Sequence, residues 1–462
     1  MLTTDQIHLD VRKLDAELAG SAYGPSDEGY DAARVAWNLA VDQRPAVVVS
    51  VRTVADVQAV VRYAAASGLR IAPQGTGHNA AALGSLDRTI LLKTHEMREV
   101  TVDAEAKVAR VEAGAVWLDV TTKTAPHQLV PTLGSAHDVG VVGFTLGGGF
   151  CWLGRKHGLS SDNVVAIELV TADGEHVRVT EADDTGLFWA LRGGGGSFGV
   201  VTAMEIKLHH EPEIYTTSMM FGIERATEVL DLWSRFVDTI GDETTTYVRM
   251  LKVPPIPEMP EPLRGGHFIN VEIVHLGSEM DGLRTSHPFR DLGPHVEMLD
   301  GMQDAVSLSY FHMDPPEPVP AVGGAHMMLD ELDAEAIQAL VAAGSDPRSP
   351  LLMVEVRHIG GALARDGAVP SALGKLQGKF VTFAGGMAMD ADMAVAVESQ
   401  LEKVEAMLAP WDNGSRYLNF TEHPTNPRIF YASERYARLR DVKAAVDPTD
   451  VFQSNHPIAP SP

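Results

Sequence analysis

The chain has 462 residues, a net charge of -25 and a pI near 5.0, so it repels phosphate backbones and anionic lipids, and we expect neither nucleic acid nor a membrane as a partner. Its apolar runs are far shorter than the roughly 20 residues that a spanning helix needs, and Met1–Asp15 shows no secretory leader, which favours a cytoplasmic protein. The single cysteine, Cys151, excludes an internal disulfide, an iron–sulfur cluster and a cysteine-built zinc site, and without a His-Glu-x-x-His pattern no metal site is predicted.

Residues 44–208 are rich in strand and turn signals. Val47–Val49 predicts a buried strand, and Thr53 with Asp56 predicts a capping box for a helix that ends at Gly68. The further elements predicted in chain order are strands at Ile90–Lys93 and Val108–Glu112, a helix at Trp117–Ala125 stopped by Pro126, and a hairpin of Ile167–Thr171 and His176–Thr180 around Asp173-Gly174. Helices and strands therefore mix in this segment without strict alternation.

The character of the sequence changes at about Glu211. Proline-rich stretches at 253–262 and 312–320 separate helix-like from strand-like runs. Because one hydrophobic core seldom organises a chain of this length, we predict a second domain in this part. After Trp411 the pattern becomes compact again, and it includes a predicted helix through Tyr436–Val446.

Three glycine-containing clusters occur at 74–78, 145–149 and 193–199. Glycine allows sharp turns and lets backbone N–H groups approach a phosphate, so three clusters together favour a dinucleotide ligand. The last cluster also fits G-x-G-x-x-G and G-x-S-x-G, which require a strand before and a helix after. Here a predicted helix at Leu187–Arg192 comes first and a predicted strand at Val200–Leu208 follows, so neither a Rossmann site nor a hydrolase nucleophile is expected.

The segment Gln74–His78 (QGTGH) resembles the R-x-G-G-H loop of FAD-linked oxidases with the vanillyl-alcohol-oxidase type of FAD fold, and more closely the berberine bridge enzyme-like family. Further matches follow in the family's own order: Gly134–Gly143 with Gly147–Gly149, Gly158–Asn163 (GLSSDN), Phe188–Arg192 running into FGVVT, the Y-x-N of Tyr417–Asn419, and the closing Asp447–Phe452 with Asn455. The resemblance covers the chain from about Arg44 to Ile458.

This resemblance implies an α+β fold with a PCMH-type FAD-binding domain. That domain would comprise two α+β subdomains within residues 1–211 and be completed by a C-terminal segment at 411–462. A substrate domain, with an antiparallel sheet flanked by helices, would be inserted at 212–410.

The same resemblance implies FAD held by a single covalent link through His78. Bicovalent members use a cysteine where this chain has Ala136, which leaves one link. Gln74 and Thr76 depart from the family's loop and weaken the expected contact with the pyrophosphate. The FAD contacts implied are Gln74, Gly75, Thr76, Gly77, His78, Asn79, Gly134, Ser135, Ala136, Val139, Gly140, Gly143, Gly147, Gly148, Val201 and Asn455.

Catalytic roles also follow from the resemblance. Val139 matches the family's oxygen gate, where valine is associated with oxidases, so O2 is the expected electron acceptor. Tyr417 matches the tyrosine that removes a substrate proton, which requires donors or a positive charge to lower its pKa. Alternation along Leu351–Ile359 places Glu355 on the same strand face as Arg357, so Glu355 is either a second acid or base or the partner in a salt bridge.

The function expected is therefore oxidation of an alcohol or related C–H centre of a small molecule or natural product. Hydride would pass to flavin and then to O2, giving H2O2. Two alternatives stay open: amine oxidation of the kind performed by 6-hydroxynicotine oxidase, and a flavin-binding protein without catalysis. The substrate and the oligomeric state are left undetermined.

Overall fold

A computed structural model describes residues 4–183, 185–257 and 259–462 of the chain. Residues 1–3, where the predicted FAD domain begins, and residues 184 and 258 lie outside the described part. The helices are α1 (Thr4–Glu17), α2 (Tyr30–Ala33), α3 (Val54–Ser67), α4 (Trp117–Thr124), α5 (Val141–Leu146), α6 (Gly154–His157), α7 (Thr185–Leu191), α8 (Ala226–Phe236), α9 (Glu279–Asp291), α10 (Ala305–Leu308), α11 (Ala334–Ser345), α12 (Ala391–Leu408) and α13 (Ser433–Val446).

The strands divide among a four-stranded, a five-stranded and an eight-stranded sheet and one two-stranded pair. They are β1 (Ser21–Tyr23), β2 (Val47–Ser50), β3 (Arg70–Gln74), β4 (Thr89–Lys93), β5 (Val100–Asp103), β6 (Val108–Glu112), β7 (Leu129–Val130), β8 (Val164–Val170), β9 (His176–Val179), β10 (Val200–Lys207), β11 (His209–His210), β12 (Ile214–Gly222), β13 (Thr244–Lys252), β14 (His267–Leu276), β15 (Val296–Gln303), β16 (Ala321–Gly324), β17 (Met328–Leu329), β18 (Met353–His358) and β19 (Phe380–Met387).

The four-stranded sheet has the order β1-β2-β4-β3, and the two pairings of β4, with β2 and with β3, are parallel. Helix α3 connects β2 to β3 and buries Val57, Val60 and Val61. Thr53 accepts a hydrogen bond from the Asp56 N–H in the predicted capping box. The helix ends as predicted, at a glycine with positive φ.

The five-stranded sheet is antiparallel, in the order β5-β6-β10-β8-β9. Its β8–β9 pair is the hairpin that the sequence predicts, with Gly174 at φ +84° in the turn. Helix α7 precedes β10, as expected for a chain without a Rossmann or nucleophile-elbow motif. Helix α4 contacts β5 of this sheet and α10, helix α5 contacts β10, and Trp117 of α4 is fully buried.

The eight-stranded antiparallel sheet has the order β15-β12-β14-β13-β18-β19-β16, and β17 pairs with β19. One face carries alternate residues of β12, β13, β14, β18 and β19 into an apolar core with α8, α11 and α12. The opposite face turns toward the first two sheets, where Tyr247 stacks on Trp152 with ring centroids 4.3 Å apart. It is an antiparallel sheet with helices packed against it, as the resemblance implied.

The C-terminal residues return to the N-terminal half. Phe452 forms a parallel bridge with Ile71, and the Gln453 N–H donates to the Ile71 carbonyl at 2.8 Å. Lys443 of α13 is fully buried and donates to the Ser197 carbonyl at 2.8 Å. Among the described residues, no helix is long and apolar enough to cross a membrane, and no cluster of metal-ligand side chains occurs.

Candidate cofactor and active site

A cavity of about 330 Å³ lies where the first two sheets, α5 and the C-terminal residues meet the large sheet. Every residue that the sequence assigns to FAD contact lies on its wall except Gly148. Gly148 faces away from the cavity, because a Cβ at this position would meet Leu373 at 2.6 Å and Tyr417 at 3.3 Å. The wall also includes residues that sequence reasoning did not single out, among them Phe150, Phe420 and His456.

The glycines of the wall fall into two groups, according to whether the protein's own packing requires the absence of a side chain. At Gly143 a Cβ would meet nothing within 4 Å, and at Gly140 and Gly196 it would approach protein atoms only at 3.7 and 3.6 Å. Side chains at these positions would project into open space, so the protein's own packing does not require glycine there. By contrast, a Cβ at Gly147 would overlap Asn419, and Gly77 has φ +89°, so internal geometry requires these two.

His78 is held on three sides at one end of the cavity. Its ring stacks on Trp37 with centroids 4.0 Å apart. Nδ1 lies 2.8 Å from the Thr76 hydroxyl, and Nε2 lies 3.3 Å from Asp138 Oδ1. Burial acts to raise the pKa of Asp138, but the contacts with His78 and Trp37 outweigh it and lower the pKa below its usual value. Asp138 is therefore a carboxylate facing Nε2.

Three polar atoms on the wall lack a hydrogen-bond partner within the described residues: His78 Nε2 and one atom each of Asn79 and His456. Asn79 donates through Nδ2 to the Thr421 carbonyl at 3.3 Å, but its Oδ1 is buried and unbonded. His456 bonds through Nε2 to the same carbonyl at 3.2 Å, and its Nδ1 is buried and unbonded. Burial lowers the pKa of His456 to about 4, so its ring is neutral at pH 7. Such unpaired groups fit a wall that binds a polar ligand.

Lys93 provides a positive charge behind Gln74, where the family's loop has arginine. Gln74 and Lys93 are directly paired at the carboxyl ends of the parallel strands β3 and β4. The Lys93 ammonium donates to Gln74 Oε1 at 2.7 Å and to the Val35 carbonyl at 2.9 Å. Burial lowers its pKa to about 8. In the sequence, Lys93 is visible as a charged residue at the end of the apolar run TILLK. Its position next to Gln74 follows only from the pairing of β3 with β4.

Tyr417 lies directly behind the wall and is fully buried. Its hydroxyl oxygen accepts from the N–H groups of Gly149 and Phe150 at 3.0 and 2.8 Å, and from Asn419 Nδ2 at 3.0 Å. Within the described part of the chain, no acceptor receives the Tyr417 O–H. Burial raises the pKa of Tyr417, and the two backbone donors offset only part of that increase.

Glu355 and Arg357 share a face of β18, as the alternation predicts. Glu355 is fully buried behind Arg357 and does not reach the cavity wall, whereas Arg357 does. The Arg357 Nε–H donates to Glu355 Oε1, and His312 Nε2 donates to Oε2 at 2.8 Å. Burial acts to raise the pKa of Glu355, but Arg357 and His312 lower it to about 2. Glu355 is therefore an ion-paired carboxylate.

The carboxylate of Glu355 belongs to a larger buried ion cluster on the cavity-facing side of the large sheet. Its members are Arg249, Glu272, His312, Asp314, Glu355 and Arg357. Burial and Arg249 act to lower the pKa of His312, but its carboxylate neighbours raise it to about 9. The ring therefore carries a positive charge at neutral pH and donates from both nitrogens.

Ala136 and Val139 both lie on the wall. Cys151 is buried elsewhere, its thiol donating weakly to the Gly158 carbonyl at 3.6 Å. Burial raises the pKa of Cys151 to about 12, so it is an unreactive thiol. No thiol lies on the cavity wall.

Two family models match the chain: "FAD binding domain" at residues 45–180, and "Berberine and berberine like" at residues 416–459. The chain is 31% identical to (R)-6-hydroxynicotine oxidase of Paenarthrobacter nicotinovorans over 49% of each protein, so the match spans about half of that relative. It is 26% identical to an uncharacterized FAD-linked oxidoreductase of Bacillus subtilis over 96% of this chain and 99% of the relative.

Solved structures share the fold over nearly the whole chain. BBE-like 1 of Physcomitrella patens superposes with a TM-score of 0.84 at 20% identity, covering 98% of this chain and 99% of that one. The 6-hydroxy-D-nicotine oxidase from Arthrobacter nicotinovorans superposes with a TM-score of 0.82 at 23% identity, covering 96% and 98% of the two chains. The expected α+β fold with a PCMH-type FAD domain is confirmed.

Proposed function

Because this chain belongs to the FAD-linked oxidoreductases that combine an FAD-binding domain with a berberine-bridge-like C-terminal segment, we propose that it is an oxidase. It would bind FAD in the cavity and oxidise a small molecule with O2 as the electron acceptor. Residues 1–211 and 411–462 would hold FAD, and residues 212–410 would hold the substrate. The cavity wall carries this proposal, since Gly140, Gly143 and Gly196 leave open space and, among the described residues, Asn79 Oδ1 and His456 Nδ1 lack a protein partner.

The wall residues fit the parts of FAD by their chemistry. Backbone N–H groups beside Gly75, Gly140 and Gly143 suit phosphate oxygens, which need close approach to the chain. The Lys93 ammonium donates a hydrogen bond to the Gln74 side chain. Its positive charge, behind Gln74, would attract the pyrophosphate. The unbonded Asn79 Oδ1 would accept from a donor of the cofactor.

We further propose that His78 forms a covalent bond with the flavin. The Asp138 carboxylate faces Nε2 and favours the tautomer with hydrogen on that nitrogen. Nδ1 then keeps its lone pair and is the nitrogen expected to form the bond. The stacked Trp37 fixes the ring plane. Because Ala136 offers no thiol, the link would be single.

When bound, FAD would take two electrons from the substrate and return them to O2 as H2O2. Tyr417 is proposed as the base that takes the substrate proton at its hydroxyl oxygen. Three donors point at this oxygen and, among the described residues, no acceptor receives its proton, so these contacts favour the phenolate although burial raises the pKa of Tyr417. Val139 on the wall would admit O2. The acid–base role suggested for Glu355 stays a prediction.

The test uses the purified holoenzyme. Wild-type protein precipitated with acid should keep its yellow colour, while His78→Ala should release flavin into the supernatant. His127→Ala, at an exposed position, is the matched control and should behave as wild type. Flavin freed from denatured wild type would contradict the covalent link, and purified wild type without flavin would contradict the FAD proposal. Peroxide released on oxidation of alcohols or amines would then separate the two substrate classes.

A further inference from the structure

Arg357 presents free hydrogen-bond donors to the cavity. Its side chain is 8% exposed and lies on the wall. Within the described part of the chain, its hydrogen bonds are limited to the one from Nε to Glu355. Both terminal nitrogens of the guanidinium therefore have no protein acceptor. A guanidinium that is more than nine-tenths buried with two unused donor groups indicates a site built for an acceptor that the protein does not supply.

Three aromatic rings hold this guanidinium in place. Its central carbon lies 4.5 Å from the Tyr247 ring centroid, 5.0 Å from Phe420 and 6.0 Å from Phe150. The hydrogen bond from Arg357 Nε to Glu355 fixes the rotation of the guanidinium plane. The orientation of the terminal nitrogens is thus fixed before any ligand binds, which reduces the entropy lost on binding.

The charges around the cavity favour an anion at this position. The chain carries a net charge of -25, yet no aspartate or glutamate lies on the described wall, where Arg357 is the cationic side chain. The negative charge of Glu355 is shared between two cations, because its second oxygen accepts a hydrogen bond from the charged His312 ring. His312 is in turn bonded to Asp314 at 2.8 Å.

We propose that Arg357 binds a carboxylate of the substrate through its two terminal nitrogens, so that the substrate class is a small organic acid. This inference rests on the proposed function, since it places the acid in the same cavity as the flavin. Paired N–H donors in one plane match the two oxygens of a carboxylate. A protonated amine at this position would be repelled, which favours the oxidation of an acid-bearing C–H centre over that of a cationic amine.

The experiment compares benzoate with its neutral isostere benzamide by isothermal titration calorimetry of the holoenzyme. Wild type should bind benzoate at least about tenfold more tightly than benzamide, as expected for charge-assisted hydrogen bonds. Arg357→Met should lose this preference. Arg357→Lys keeps the charge but not the paired donors, and it should retain a reduced preference. Arg348→Met, at an exposed arginine of the same sheet domain, should match wild type.

Flavin content is measured by absorbance on each sample. A wild-type holoenzyme with bound flavin that binds benzoate no better than benzamide overturns the inference and leaves the proposed function intact. Benzoate affinity unchanged in both Arg357 variants overturns it as well. If Arg357→Met does not fold, the comparison of wild type with Arg357→Lys decides. Wild type without flavin would instead overturn the proposed function, and the inference would fall with it.

Discussion

Replacing Tyr417 by phenylalanine removes one oxygen atom from the centre of three hydrogen bonds. The N–H groups of Gly149 and Phe150 and the side-chain amide of Asn419 would all lose their acceptor. A buried donor left without an acceptor costs about 1–3 kcal/mol. Even with local relaxation, the free energy of unfolding should therefore fall by about 3 kcal/mol or more, a large share of the 5–15 kcal/mol that is usual for folded proteins.

The same substitution tests the proposed base. Loss of a general base typically slows a reaction by about 10²- to 10⁴-fold. Anaerobic flavin reduction by a substrate should slow by that factor in Tyr417→Phe, with little change in the reaction of the reduced enzyme with O2. Urea unfolding followed by tryptophan fluorescence gives the stability, and stopped-flow absorbance of the flavin gives the rate.

Tyr431→Phe is the matched control. Tyr431 is also buried, but within the described residues its hydroxyl makes a single hydrogen bond, donating to the Gly193 carbonyl at 3.1 Å. We expect it to lose about 1 kcal/mol and to keep the wild-type reduction rate. The reasoning would be refuted if Tyr417→Phe were no less stable than Tyr431→Phe. A reduction rate within tenfold of wild type would remove Tyr417 as the base.

Further predictions follow from the cavity and the ion cluster. Gly143→Ala should stabilise the cofactor-free chain by up to about 1 kcal/mol, because the position is helical and the space for a Cβ is open. The same methyl group should lower the flavin content of the purified protein. An unchanged flavin content would show that FAD does not approach this wall. Val139→Leu should slow flavin reoxidation by O2 while sparing reduction, and equal reoxidation rates would contradict the gate. Because burial raises the pKa of Tyr417, flavin reduction should keep accelerating from pH 7 to 9; a plateau in that range would argue against it. The pKa of His312 is raised from 6.5 to about 9. The protonated ring therefore stabilises the fold fully below pH 6.5, and this contribution is lost as the pH rises toward 9. If the difference in stability between wild type and His312→Gln does not shrink over this range, His312 is not charged as assigned.

Much of the cavity wall could be predicted because its residues form short contiguous motifs. The stretch Gln74–His78, the stretch Gly134–Gly143 and the glycine triplet each carry their own turns, so their local geometry follows from nearby residues. Their order along the chain matches a known family, and the fold followed from that resemblance. Gly148 shows the limit of this reasoning, since its neighbour Gly147 lies on the wall while Gly148 packs against Leu373 and Tyr417.

The partners of the catalytic candidates could not be predicted in the same way. Arg249 is directly opposite Glu355, and Tyr247 is directly opposite Arg357, only because β13 and β18 pair in one register. A shift of one residue would send each side chain to the other face of the sheet. Strands β12, β13 and β14 are buried on both faces, so even an alternation such as that of Ile269–Ile273 does not reveal which residues face the cavity.

By itself, the sequence determined the cofactor class through motifs that match a known family, and the same motifs predict the covalent-link candidate and the order of the domains. Only the tertiary structure decided that Lys93 lies behind Gln74, that three donors converge on Tyr417, and that Glu355 is occupied by ion pairs while Arg357 keeps free donors. Each of these contacts joins strands or loops far apart in the chain. Strand register and the packing of the large sheet against the cavity set them, and neither follows from local periodicity.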